Sequence, residues 1–297
     1  MTSTRPDFGV FAAMATPFDE AGAVDHARAA DHAVRLLAEG CDGLALFGTT
    51  GEGASLGERE RGALHDALLA AGAPAERIVV ALVAPALETA IAQAEAALER
   101  GANRLLATPP FYFKGVSDEA LYAWHARLIE AVGGRGARLV LYHIPAVTGV
   151  PLSRALVRRL KRAFGEAILG VKDSDGEIAY AEALCADGDL AVLVGDERLL
   201  ARAARAGAAG TISGLANVVP GRLGAMLRTG ADDAELVALV EAVTDLPVVP
   251  AVKALVAERR ADDGWRRARP PLEGLAPEAA RRLAAHARPL LGADRGR

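Results

Sequence analysis

Short apolar runs of four to eight residues alternate along the chain with longer stretches whose apolar residues recur every three or four positions. The first pattern predicts buried strands, the second amphipathic helices lying over them. Strands are expected at 9–16, 43–47, 78–83, 104–108, 139–143, 168–171, 190–194 and 210–213. Helices are expected at 25–39, 58–71, 87–100, 117–132, 153–164, 177–186, 197–206 and 220–228. Ser55 to Glu58 has the form of a capping box before the second helix. Gly40, Gly72, Gly101, Gly133, Gly165 and Gly207 stand where a left-handed residue would stop a helix.

Eight strand–helix units, repeating roughly every thirty residues, predict a closed (β/α)8 TIM barrel, for which about 250 residues is typical. An open doubly wound sheet shares the βαβ pattern. The count of eight, and the lack of a glycine-rich dinucleotide loop after the first strand, favour the barrel. Residues 1–231 would form it, with 232–297 a helical C-terminal extension packed against it. No linker-like break in composition separates the two, so they are expected to make one structural unit.

Composition then removes several classes of function. A net charge of −4 and a pI near 5.9 give no basis for a nucleic-acid or membrane partner. The short arginine clusters, such as Arg158-Arg159 and Arg266-Arg267, read as solvated helix faces. Cys41 and Cys185 are too few for a disulfide framework or a zinc site. Residues 1–7 lack the cationic start and apolar core of a secretory leader, and no apolar run reaches the roughly 18 residues of a membrane span. A soluble cytoplasmic protein is expected. Histidine pairs with metal-ligand spacing, a Gly-x-Ser-x-Gly elbow and a phosphate-binding Walker loop are all missing.

Candidate chemistry gathers at the C-terminal strand ends, where barrels of this kind carry their sites. Of 34 basic residues only four are lysines: Lys114, Lys161, Lys172 and Lys253. Lys172 ends the apolar run 168–171. A lysine is rarely buried without a partner, and burial favours the neutral amine, a nucleophile toward ketones. The alternative is a strand-end lysine whose head reaches water. Strand five neighbours strand six, so Tyr142 is expected to face Lys172 across the barrel mouth. A phenol there can move the protons that carbinolamine formation, dehydration and C–C cleavage require; the alternative is a core tyrosine with its hydroxyl satisfied. His143, one residue on, would point toward the helices. The loop from Gly48 to Gly53 offers two hydroxyls, backbone N–H groups and a following helix N-terminus, which suit a carboxylate or a phosphate; a plain turn with N-cap threonines is the alternative. Lys253 falls in a C-terminal helical run, away from the strand ends, and reads as structural.

Thr16-Pro17-Phe18, Gly48 to Glu52, Tyr142-x-x-Pro145, Gly170 to Ser174, Gly195-Asp196 and Gly210 to Asn217 occur in an order and spacing that resemble the dihydrodipicolinate synthase / N-acetylneuraminate lyase family. The resemblance spans essentially the whole chain. It implies a (β/α)8 barrel with C-terminal helices, pyruvate chemistry through a lysine Schiff base, no metal or organic cofactor, and a homotetramer built as a dimer of dimers. It assigns Lys172 to the Schiff base, Tyr142 to the proton shuttle and Thr49 to a relay from it. Thr50, with the backbone of Gly48 and Gly51, would hold the pyruvate carboxylate. Ile212 would line the pyruvate pocket, with Gly195 beside it, and Tyr112 would enter a neighbouring subunit's site. Asp196 and Glu197 resemble an acidic pair that sialic acid lyases set on substrate hydroxyls.

The chain departs from the pattern at places that govern substrate. Val147 stands where the synthase branch has an arginine for a second carboxylate, and a valine has no donors for one. Phe111 replaces a tyrosine common in that branch, and Gly214 stands where sialic acid lyases have serine. The resemblance therefore implies a class I aldolase or lyase, cleaving or forming a 2-keto-3-deoxy sugar acid or similar hydroxy-keto acid from pyruvate and an aldehyde. Water loss from the same imine and dihydrodipicolinate synthesis are alternatives within this chemistry. A non-catalytic keto-acid-binding homologue is an alternative of another kind.

Overall fold

The eight apolar runs become eight parallel strands, each paired with its neighbours in sequence, and the eighth pairs back onto the first to close a barrel. The computed structural model describes residues 8–293, with side chains as far as Leu291. Residues 1–7, read above as lacking a leader, lie outside the described residues. The strands are β1 (Gly9–Ala13), β2 (Gly43–Leu46), β3 (Ile78–Leu82), β4 (Arg104–Ala107), β5 (Arg138–His143), β6 (Ile168–Asp173), β7 (Ala191–Val194) and β8 (Gly210–Ser213). Between them run α1 (His26–Ala38), α2 (Glu58–Ala70), α3 (Leu87–Glu99), α4 (Asp118–Gly133), α5 (Pro145–Thr148), α6 (Arg154–Phe164), α7 (Ile178–Asp187) and α8 (Leu200–Arg205). After β8 come α9 (Pro220–Thr229), α10 (Ala234–Thr244), α11 (Val248–Arg260) and α12 (Pro277–Ala293).

Strands such as β2, β3 and β7 are buried at every position, which is why they read as continuous apolar runs. Their alternating side chains build two cores. Phe11, Val79, Leu106, Val140 and Leu193 fill the barrel interior. Leu44, Val80, Leu105 and Val192 pack outward under the helices, in a cluster that also takes in Leu239, Val252 and Leu283 from the C-terminal helices. Asp25, Ser117, Ser153 and Asp233 start α1, α4, α6 and α10, each side chain accepting from the N–H three residues on. The barrel closes at Gly210, where any Cβ would lie 2.2 Å from the Gly9 carbonyl oxygen.

Several boundaries differ from the sequence reading. The cap of α2 is Gly57, whose N–H donates to Glu60 at 3.1 Å. Ser55 instead ends a 3-10 turn, so the expected box was two residues out of step. Gly133 remains inside α4, and the left-handed residue there is Gly136; the other five glycines do have positive φ. β1 stops at Ala13: the Met14 N–H still donates to the Ala45 carbonyl of β2 at 3.0 Å, but the Ala15 N–H leaves the ladder for the Asn217 side chain at 3.1 Å. β6 continues two residues further than expected, since Lys172 and Asp173 still pair with β5 and β7. α5 was not foreseen, and residues 197–199 form a 3-10 turn that shortens α8. Among the described residues no helix is long and apolar enough to cross a membrane.

Candidate active site

Lys172 reaches the barrel interior because β6 carries one extra residue. β5 and β6 pair Leu139 with Ile168 but Val140 with Gly170, leaving Leu169 as a bulge. Ile168 and Val171 therefore both pack toward the helices, and Lys172 faces inward in register with Tyr142. Strict alternation from Ile168 would have sent Lys172 to the outer face. Gly170 permits the bulge: a Cβ there would lie 1.9 Å from the Ala191 carbonyl oxygen.

The Lys172 Nζ donates to the Tyr142 hydroxyl at 3.1 Å, and that hydroxyl lies 3.4 Å from the Thr49 Oγ1. Both Lys172 and Tyr142 are buried. Burial alone would raise the pKa of the phenol. The Lys172 charge, with hydrogen bonds involving Thr49, Lys172 and Ser174, outweighs burial and holds it below the ordinary tyrosine value. Ser174 joins the site two residues after Lys172, a role that sequence reasoning did not give it. Its hydroxyl sits so close to Gly195 that a Cβ on Gly195 would lie 2.0 Å away.

The loop after β2 supplies Thr49 and Thr50, and it is held in an unusual shape. Phe47 and Glu52, neither a glycine, both adopt positive φ, at 61° and 53°, a conformation that has to be enforced by its surroundings. The Thr16 hydroxyl donates to the Gly51 carbonyl at 2.7 Å, and the Glu52 and Gly53 N–H groups turn back onto Thr49 and Gly48. The Glu52 carboxylate accepts from Lys253 at 2.5 Å and from the Arg269 N–H at 2.9 Å. Phe18 packs under both cations, 4.3 Å from Lys253 and 4.5 Å from Arg269. Lys253 thus lies against the loop at the end of β2, and the expectation that it stands away from the strand ends is corrected. The spacing within α11 showed its face but not what that face meets. With the loop so fixed, the Thr49 and Thr50 N–H groups donate to no acceptor among the described residues.

These groups open onto a cavity of about 250 Å³ at the C-terminal mouth of the barrel. Lys172, Tyr142, Thr49, Thr50 and Ile212 form its inner end. Gly195, Asp196 and Glu197 border one side, but the two acids are already engaged. Asp196 accepts from Arg198 through both oxygens, at 3.0 and 2.7 Å. Glu197 accepts from the Ser213 hydroxyl at 2.5 Å and the Leu215 N–H at 3.3 Å, and burial raises its pKa against those bonds. A Cβ on Gly214 would lie 3.3 Å from Val252 and 3.5 Å from the Thr50 hydroxyl, so a serine there would crowd the wall. Val147, on α5, stands at the rim. The opposite wall comes from α10 and α11, which sequence reasoning did not connect to the site. Val240, Val243 and Thr244 share one helix face by their spacing, but that spacing is equally the mark of a core-facing helix.

Tyr112 does not line this cavity. It is 72% exposed and stacks edge-to-face with Phe113, itself 69% exposed. Lys114 ties their loop to α5 by donating to the Phe111 and Thr148 carbonyls. His143 faces the helices, as alternation requires, and stacks on Tyr180. With Asp173 and Asp175 it makes the one three-residue cluster of metal-ligand type among the described residues. The Leu152 N–H donates to His143 Nδ1 at 3.0 Å, so the neutral ring carries its proton on Nε2, facing Asp175 at 3.3 Å. Both ring nitrogens are thereby committed to protein partners, an arrangement unlike a waiting metal ligand.

Known proteins carry the same architecture. The model of the dihydrodipicolinate synthetase family matches residues 7–287. An uncharacterized DapA-like lyase of Chloroflexus aurantiacus is 35% identical over 256 residues, covering 83% of this chain and 85% of that protein. A 4-hydroxy-tetrahydrodipicolinate synthase of Kineococcus radiotolerans is 34% identical over 254 residues, covering 85% and 79%. The crystal structure of dihydrodipicolinate synthase from Agrobacterium tumefaciens superimposes with a TM-score of 0.92 at 44% identity, covering 95% of this chain and 99% of that one.

Proposed function

This chain belongs to the dihydrodipicolinate synthetase family, and from that premise we propose that it is a class I, pyruvate-dependent aldolase or lyase working through Lys172. The observation that carries the reading is the buried contact of Lys172 with Tyr142, and of Tyr142 with Thr49, at the inner end of an open cavity. The Lys172 amine attacks the ketone carbon of a 2-keto acid, and loss of water leaves an iminium. Tyr142 takes the proton of the C4 hydroxyl as the C3–C4 bond breaks, so an aldehyde departs and the bond's electrons pass into an enamine of pyruvate. Protonation of the enamine and hydrolysis return the amine. The lowered pKa of Tyr142 suits a group that must give and take protons repeatedly. Thr49 carries protons onward, and the Thr50 hydroxyl with the loop N–H groups holds the carboxylate without reorganisation.

Lys172 is the only cationic side chain lining the cavity among the described residues. A second carboxylate, such as dihydrodipicolinate synthesis requires, would therefore be received at the rim by Val147 with no donor. This favours aldol cleavage or formation of a hydroxy-keto acid over the synthase reaction. We propose, further, a homotetramer built as a dimer of dimers, in which Tyr112 completes a neighbouring protomer's site. The exposure of Tyr112 and Phe113 on a tethered loop supports that arrangement.

The reading predicts that Lys172→Ala abolishes pyruvate release from hydroxy-keto acids. Tyr142→Phe should keep the fold but lower kcat by roughly 10²–10⁴, the usual worth of a positioned proton-transfer group. Steady-state kinetics coupled to pyruvate detection checks both. A Lys172→Ala enzyme with wild-type turnover would end the proposal.

A further inference from the structure

The cavity has a polar inner end and an apolar outer wall, and the division falls where pyruvate would end and its aldehyde partner begin. Resting on the Schiff-base reading above, we infer that the aldehyde partner is one with an uncharged hydrocarbon tail, which lies against α10 and α11. The wall it would meet is made by Val240 and Val243 on α10 and by Val248 and Val252 on α11, with Val147 across the mouth. Val240, Val243 and Val252 are buried, whereas Val147 and Val248 are 62% and 45% exposed. The last two are large apolar side chains left in water at the rim, and a hydrocarbon tail would cover them.

The polar groups facing that space do not supply what a sugar chain or an acid needs. Asp196 is matched to Arg198 and Glu197 to Ser213 and Leu215. A polyhydroxylated tail would have several hydroxyls to satisfy and Thr244 as the one polar side chain from α10 and α11 to satisfy them. A carboxylated tail would find no cation beyond Lys172, which is occupied as the imine. An aliphatic or aromatic tail asks for no polar partner there.

In the condensing direction the chemistry balances. The enamine of pyruvate bonds its methyl-derived carbon to the aldehyde carbon, the aldehyde oxygen takes up a proton through Tyr142, and hydrolysis releases a 4-hydroxy-2-oxo acid. The test is pyruvate consumption by the wild-type enzyme with four aldehydes: butanal, benzaldehyde, glyceraldehyde and succinic semialdehyde. Borohydride trapping with pyruvate is run on the same preparation. We expect a pyruvate adduct on Lys172 and a kcat/KM at least about tenfold higher for butanal and benzaldehyde. That ratio corresponds to about two methylene groups entering an apolar wall, at about fourfold each. Val243→Thr, which keeps the shape and adds a hydroxyl, should narrow the ratio. An adduct accompanied by equal or better use of glyceraldehyde or succinic semialdehyde, or by no use of any aldehyde, overturns the inference and leaves the imine reading standing. No adduct on Lys172 removes both.

Discussion

At the level of single residues, the bulge that turns Lys172 inward also turns Asp173 outward, into the space shared with His143 and Asp175. Burial, followed by the charge of Asp175, pushes the Asp173 carboxyl up to about 7. An unfolded aspartate releases its proton near pH 4 (about 3.9). The folded chain therefore holds one proton more across the window between those values, and stability falls as pH rises through it, by about 1.4 kcal/mol per pH unit. Asp173→Asn should flatten that dependence. Urea unfolding at pH 5, 6 and 7 checks it: equal slopes in wild type and variant would show that Asp173 titrates normally. Lys172 and Tyr142 were legible in the sequence because lysine is scarce and each ends an apolar run. The extra residue was not. Nothing in Ile168-Leu169-Gly170-Val171 marks a bulge until the partner strand fixes the register, and Ser174 inherits its place from that register.

At the level of elements, the loop after β2 and helix α11 depend on one buried ion pair. Glu52 and Lys253 both have fully buried side chains, and burial lowers the pKa of the lysine against the pull of Glu52. Breaking such a pair leaves a charge without a partner and costs about 3–5 kcal/mol. Glu52→Gln and Lys253→Met should each lose stability on that scale, and the double variant should recover part of it. A double variant as unstable as the sum of the singles would show that the two side chains act independently. We propose that the barrel and its C-terminal extension unfold as one unit through this tie, so that fluorescence and circular dichroism transitions coincide in the same titration. The strands and most helices were legible because burial on both faces and on one stripe leaves different periods. The roles of α10 and α11 were not, since a wall against substrate and a wall against the core have the same spacing.

At the level of the whole molecule, the closed order of eight strands followed from counting alternations, because parallel strands need a crossover and crossovers keep one hand. Assembly left a fainter trace in the sequence: Tyr112 and Phe113 are two apolar residues among many, and only their exposure of 72% and 69% sets them apart. If a partner covers them, sedimentation should give a homotetramer, and Tyr112→Ala should lower kcat/KM while the assembly persists. A monomer with full activity would contradict the shared site. Borohydride reduction in the presence of pyruvate, followed by intact mass and peptide mapping, reads the Lys172 imine itself. A single reduced pyruvate adduct is expected on Lys172, absent from Lys172→Ala. No adduct, or one on Lys114 or Lys253, would contradict it.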